Sequence, residues 1–188
     1  MSAAGVRRQL APLCLGTLLV ALDQGSKLLI AGFARHADLP LLGGLLRFRP
    51  ILNENLSFLG NYVPFLRLPA LMVGLNLLVL IVFVTGYGFY LSRIERPRPV
   101  PRLIYACGLA GCVCSLLDKL FWGGSLDFVQ LPGLFTFDAK DCYLTVSLCL
   151  YLALFVCGRC RFQLREYFAY VFPSKRAGKA PTERKPEL

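Results

Sequence analysis

Asp23, Lys27, Asp118, Lys119, Lys140 and Asp141 lie inside or at the ends of long apolar runs. A charge in such a run costs several kcal/mol and marks a functional site by default. Asp118 and Asp141 carry the most specific chemistry. They fall on neighbouring apolar segments joined by a single loop, so their carboxyls could come within hydrogen-bonding distance. Two carboxyls that close share a proton and titrate as a unit. One can then take a proton from water while the other protonates or polarises a carbonyl, which is the hydrolytic chemistry of aspartic peptidases. The same residues also fit separate salt bridges, Asp118 and Asp141 each to Lys119, Lys140 or Lys27. Asp23 and Lys27 are four residues apart, share a helix face and can pair. For those two, a structural ion pair or a headgroup-facing polar cluster is the simpler reading.

The elements that must position these groups are membrane spans. Of the 188 residues 56% are hydrophobic and only 17% charged, against roughly a quarter charged in a soluble domain. Disorder, collagen-like repeats and coiled coil are excluded by the same figures and by the absence of heptads. Four stretches reach the roughly 17–25 apolar residues that a membrane helix requires: about 10–33, 69–91, 103–122 and 139–158. The first contains Asp23 and Lys27 and lacks a convincing cleavage site, so it is expected to be an uncleaved anchor. At about 1.5 Å per residue, Asp118 lies roughly 22 Å along the third span and Asp141 roughly 25 Å from the far end of the fourth. Asp23 and Lys27 come out roughly 20 and 25 Å along the first. All four groups are therefore expected at one depth, near the outer edge of the hydrocarbon.

The net charge of +10 sorts by side. Arg7 and Arg8 precede the first span, Arg93, Arg96, Arg98 and Arg102 separate the second and third, and a run from Arg159 to Lys185 follows the fourth. The positive-inside rule then puts both termini in the cytoplasm. Pro97, Pro99 and Pro101 are expected to keep the middle connection extended. Residues 166–188 read as a basic tail near anionic headgroups; with no folded module around it, a nucleic-acid partner is not expected. Gly43, Gly44, Pro50 and Gly60 punctuate the outer loop 34–68, which suggests short strands with turns at the membrane surface. Phe58, Tyr62 and Phe65 suit an interface. Residues 123–138 read as a second outer loop. Gly108, Gly111, Cys114 or Ser115, and Asp118 recur at three-to-four spacing, a face on which a partner helix or substrate can approach closely. The predicted fold is thus an all-α bundle of four transmembrane helices over residues 1–165, with a small β-containing loop region on the outer side.

Eight cysteines, including Cys157-Gly-Arg-Cys160, raise a redox reading. Most lie within apolar spans, where Cys is a small packing residue, and the CxxC falls at the reducing cytoplasmic boundary. His36, the only histidine, is on the opposite side from that pair, which argues against zinc.

At the charged positions the chain resembles signal peptidase II. The family pattern Gly-Asn-x-x-Asp-Arg corresponds to Cys114-Ser115-Leu116-Leu117-Asp118-Lys119, and Phe-Asn-x-Ala-Asp to Phe137-Asp138-Ala139-Lys140-Asp141. Asp127-Phe128-Val129 is similar to the Asp-Phe-Ile that precedes the second motif. Asp23-Gln24-Gly25-Ser26-Lys27 is similar to Asp-Gln-x-Thr/Ser-Lys, and Asn53 to Phe58 to Asn-x-Gly-Ala-Ala-Phe. The resemblance implies a catalytic pair of Asp118 and Asp141, with Asp23, Lys27, Asn53, Ser115, Lys119, Asp127 and Asp138 binding substrate or shaping the site. It implies diacylglyceryl-modified prolipoproteins as substrates, cleaved before the lipidated Cys at the outer face of a bacterial cytoplasmic membrane. It further implies a monomeric enzyme among membrane lipid, with no metal or organic cofactor. Ser115 replaces Asn and makes fewer hydrogen bonds, Lys119 replaces Arg and loses bidentate geometry, and Asp138 replaces Asn and adds a like charge beside the pair. The loop between Asp127 and Asp141 is short for the family. An inactive relative, a non-enzymatic four-helix membrane protein and a membrane thiol oxidoreductase are the alternatives.

Overall fold

A computed structural model describes residues 3–54, 68–94, 98–158 and 164–173, with the side chains of the first helix from Pro12 onward. Four of its helices are long and apolar enough to cross a membrane. They are α1 (Ala3–Phe33), α2 (Pro69–Arg93), α3 (Pro99–Leu117, prolonged by a π-helical turn over Asp118–Trp122) and α4 (Ala139–Val156). Their outward faces carry exposed Leu22, Leu29, Leu78, Ile81, Leu148 and Phe155, the surface expected to meet lipid. The chain is accordingly a multi-pass membrane protein.

The ends of these helices follow from local chemistry. Pro99 and Pro101 do not keep the preceding connection extended, as expected from sequence; they lie in the first turn of α3. A helix's first four N–H groups have no intrahelical partner, so a proline there removes no hydrogen bond and its fixed φ suits the turn. The first amide to bond back is that of Arg102, to the Arg98 carbonyl at 3.4 Å. Pro97 lies outside the described residues. Helix α4 opens on a reciprocal capping box: Asp138 Oδ1 accepts from the Asp141 amide and Asp141 Oδ2 from the Asp138 amide, both at 3.2 Å, which satisfies two otherwise orphaned donors. It closes at Gly158, whose φ of 66° is the left-handed conformation that ends helices.

Helix α3 is the central element and packs against α4, α1 and α2. The small-residue face read from the sequence is what permits this. A Cβ on Gly108 would fall 2.1 Å from the Phe83 ring of α2, and one on Gly111 would fall 2.5 Å from Leu144 of α4. Ser147 Oγ of α4 also donates to the Ile104 carbonyl at 2.9 Å, buried between the two helices.

A four-stranded antiparallel sheet in the order β1–β2–β3–β4 sits over one end of the bundle: β1 Leu39–Leu41, β2 Leu46–Asn53, β3 Ser125–Leu131 and β4 Phe135–Phe137. The strands expected in loop 34–68 are β1 and β2. The loop 123–138, read as a second outer loop, supplies the other two. Asn53 pairs with Ser125 and Ile51 with Asp127 across β2 and β3, and the register slips between Phe48 and Ile51, around Pro50, which has no amide to give the ladder. Phe58, Tyr62 and Phe65 lie outside the described residues. A short helix α5 (Leu164–Val171) rests on α2 through Tyr167–Thr85 (2.6 Å) and Glu166–Arg93 (3.0 Å). The expected junction between residues 165 and 166 falls inside it.

Candidate active site

Where the sheet meets the helix ends, the charges expected at a common depth converge. Asp23 and Lys27 are fully buried on α1, one turn apart and paired at 2.9 Å. The pair is more than an isolated structural bridge. Lys27 Nζ also donates to Asp118 Oδ1 and Oδ2 at 2.9 and 2.7 Å and lies 2.7 Å from Asp138 Oδ2. Asp23 Oδ1 accepts from the Lys140 amide at 3.0 Å. Helices α1, α3 and α4 are therefore tied together by buried, charge-assisted hydrogen bonds, the stronger kind.

Asp118 starts the π-helical turn that continues α3. Such turns are rare and recur at functional sites; here it leads to left-handed Gly123 and brings the chain round into β3. The next residue, Gly124, must be a glycine for a steric reason: a Cβ there would lie 2.7 Å from the Asn53 carbonyl oxygen. Strand β2 can thus close on β3, which places Asn53 Nδ2 3.4 Å from Asp127 Oδ2. Burial pushes the Asp127 carboxyl above the ordinary range, against the opposing effect of Lys140 and the hydrogen bonds from Ser125 and Asn53. Burial acts on Asp138 in the same direction, but Lys140 and Lys27 outweigh it and hold that carboxyl below the ordinary range.

Among the described residues, Asp118 and Asp141 are joined by an ammonium and not by a direct carboxyl–carboxyl hydrogen bond. Lys140 Nζ lies 3.2 Å from Asp118 Oδ2 and 3.9 Å from Asp141 Oδ1. Of the two arrangements open from spacing, the salt-bridged one is observed. Both carboxyls nevertheless border one cavity of about 630 Å³, together with Asn53, Ser115, Lys119, Ser125, Asp127 and Lys140. Met72, Leu75, Val79 and Leu144 supply its apolar wall. The Asp118 side chain is 2% exposed and that of Asp141 42%, so the second is the more open to an entering molecule. Lys119 Nζ turns to Ser115 Oγ at 2.6 Å. Asp23, Lys27 and Asp138 back the cavity through the buried network. Every site residue expected from the sequence is thus in this cluster. The carboxylates of Asp127, Asp138 and Asp141 lie within 4.8 Å of one another, a spacing that could hold a metal ion; the cation among them is the Lys140 ammonium.

Several residues of the cluster carry roles that the sequence did not reveal. Gln24 Nε2 donates to Asp118 Oδ1 at 3.0 Å while its Oε1 accepts from Trp122 Nε1 at 3.1 Å, which fixes the amide's orientation. Ser125 Oγ is within reach of Asp118, Asp127 and Asp138. It has one proton to give, Asp127 at 2.6 Å is its shortest acceptor, and it accepts in turn from Lys140 Nζ. Asn76 is the sole amide side chain in the apolar run 69–84. It lines the cavity, and its buried Nδ2 has no hydrogen-bond partner among the described residues. A lone amide in an apolar span is a signal that could have been read. Thr145 Oγ1 bonds back to the Asp141 carbonyl at 2.7 Å, an intrahelical use. The seven described cysteines are free thiols.

The family model described as signal peptidase (SPase) II matches residues 15–157. A lipoprotein signal peptidase of Moorella thermoacetica is 30% identical over 132 residues, which cover 69% of this chain and 81% of that protein. Two solved structures of a bacterial membrane enzyme, obtained by the in meso method at 2.3 and 1.9 Å, share the fold. The first has a TM-score of 0.66 at 15% identity, covering 81% of this chain and 92% of the other. The second has 0.63 at 15%, covering 77% and 91%.

Proposed function

The chain belongs to the signal peptidase II family, and on that premise we propose that it removes the signal peptides of diacylglyceryl-modified prolipoproteins, with Asp118 and Asp141 as the catalytic pair. Membership makes it a multi-pass membrane peptidase; the aspartic mechanism and the bond cleaved, just before the lipidated Cys, are our reading. The observation that carries it is the shared cavity. Two carboxyls from different helices border one space whose other wall is apolar, which suits a peptide bond that stands beside acyl chains.

The two carboxyls divide the work by their surroundings. Asp118 accepts from Lys27 and Gln24, is the more enclosed of the two, and serves as the base. It takes a proton from water as the water oxygen bonds to the scissile carbonyl carbon, while Asp141 gives its proton to the carbonyl oxygen. In the second step the gem-diol returns a proton to Asp141 and the proton on Asp118 passes to the leaving nitrogen as the C–N bond breaks. A new carboxyl and a new amine leave, and both aspartates return to their starting states.

The basic residues in the first turns of α1, around the connection between α2 and α3 and after α4 support cytoplasmic termini. The site then lies near the outer face of the bacterial inner membrane. The enzyme acts as a monomer among membrane lipid and has no nucleic-acid partner. Release of the signal peptide from a lipidated prolipoprotein peptide by the purified protein tests this function; no release by folded protein overturns it.

A further inference from the structure

Lys140 ends among carboxylates from three elements. Its Nζ lies 2.5 Å from Asp138 Oδ2, 3.2 Å from Asp118 Oδ2, 3.7 Å from Asp127 Oδ1 and 3.9 Å from Asp141 Oδ1. Its side chain is 8% exposed and borders the cavity. Among the described residues it is the ion-pair partner that Asp118 and Asp141 have in common. Lys27 binds Asp118 and Asp138 from the α1 side and is fully buried. The groups facing Lys140 are Asp23 and Lys27 from α1, Asp118 and Lys119 from the end of α3, Asp127 from β3, and its neighbours Asp138 and Asp141. Five carboxylates thus meet three ammonium groups, and the charge nearest Lys140 is that of Asp138.

We propose that Lys140 is a positioning residue for the hydrolysis: anchored by Asp138, its ammonium sets the pH range over which the pair of Asp118 and Asp141 holds one proton. This rests on the reading of those two as the catalytic pair. Asp138 and Lys140 are a coupled unit whose charges cancel beside the pair. In the family pattern given above, an uncharged Asn and an uncharged Ala occupy these two places, so the unit arrives at the same net charge by a different route.

The signs follow from electrostatics. Removal of the ammonium leaves the Asp138 charge unopposed, so the neighbouring carboxyls keep their protons to higher pH. Removal of the Asp138 charge does the reverse, and removal of both cancels. Asn caps a helix as well as Asp, so Asp138→Asn changes the charge and keeps the start of α4.

The test is the pH dependence of kcat/KM for release from a lipidated prolipoprotein peptide. It compares the wild type with Lys140→Met, Asp138→Asn, the double variant and Lys140→Arg, each checked for folding. Lys140→Met should move the profile to higher pH by about one unit, Asp138→Asn should move it lower, and the double variant should return close to the wild type. Lys140→Arg, which keeps the charge, should hold the wild-type limbs. An unmoved profile for Lys140→Met, or a double variant whose profile stays as far from the wild type's as that of Lys140→Met, overturns the proposal. If Lys140→Met does not fold, Asp138→Asn decides alone, and an unmoved profile is again fatal. A wild type that releases nothing, or an Asp118→Asn variant that releases normally, refutes the catalytic reading itself. Release by the wild type and none by Asp118→Asn, with a static Lys140→Met profile, refutes only the role of Lys140.

Discussion

Lys27 donates to both carboxyl oxygens of Asp118, at 2.9 and 2.7 Å, from a fully buried position on another helix. The two residues are 91 positions apart, and the bond joins α1 to the π-helical end of α3. A buried ion pair contributes little against an apolar pair of the same shape, but removal of one partner strands the other. Lys27→Met would leave Asp23 without its ammonium partner and Asp118 and Asp138 with that of Lys140 alone. The expected loss of stability is roughly 3–5 kcal/mol, read by equilibrium unfolding in detergent micelles. A loss below about 1 kcal/mol would show that this lysine does not hold α1 to α3.

Asp138 supplies a pH dependence of stability whose sign can be worked out. Its carboxyl is held below the ordinary range by Lys140 and Lys27 despite burial. A depressed native value means that the folded state favours the carboxylate, so the stabilisation is fully present above the unfolded-state value and fades as pH falls through the native one. Wild type should therefore exceed Asp138→Asn in thermal stability near neutral pH, with a gap that narrows as the medium is acidified below the ordinary carboxylate range. A gap that stays constant or widens in acid contradicts the assignment.

Asn76 offers a prediction in which stability and activity part company. Its buried Nδ2 is unpartnered among the described residues and sits at the cavity wall, and such a donor costs about 1–3 kcal/mol until something accepts from it. Asn76→Leu should raise the unfolding free energy by about that amount. The same change should lower kcat/KM for the lipidated peptide about tenfold, mainly through KM, if the amide meets a substrate carbonyl. Unchanged KM with raised stability would make Asn76 a packing residue.

Much of the site was legible because its chemistry is written in residue types that membranes penalise. Asp23 and Lys27 announced themselves by i,i+4 spacing in an apolar run, and the depth arithmetic for Asp118 and Asp141 brought them to one level before any fold was known. The helix-packing face was equally visible in Gly108 and Gly111. Other features depend on partners remote in the chain. The main partner of β3 is β2, some seventy to eighty positions earlier, so residues 123–138 read from sequence as an outer loop without strands. Pro99 and Pro101 carried a local signal for extension that the start of α3 absorbed. The link between Asp118 and Asp141 could not be chosen from spacing, because Lys140 reaches both only once α4 is capped by Asp138. Ser125 and Gln24 are ordinary polar residues in sequence; their roles come from three-dimensional neighbours.

The assignment of Asp118 and Asp141 as the catalytic pair is tested most directly by release of the signal peptide from a lipidated prolipoprotein peptide. The purified protein is compared with Asp118→Asn and Asp141→Asn in the same membrane mimic. Asn keeps the shape of the side chain and removes the exchangeable proton, so each variant should stay folded and lose at least about a hundredfold in rate, the smaller end of what general acid–base groups contribute. Normal release by either folded variant would contradict the pair.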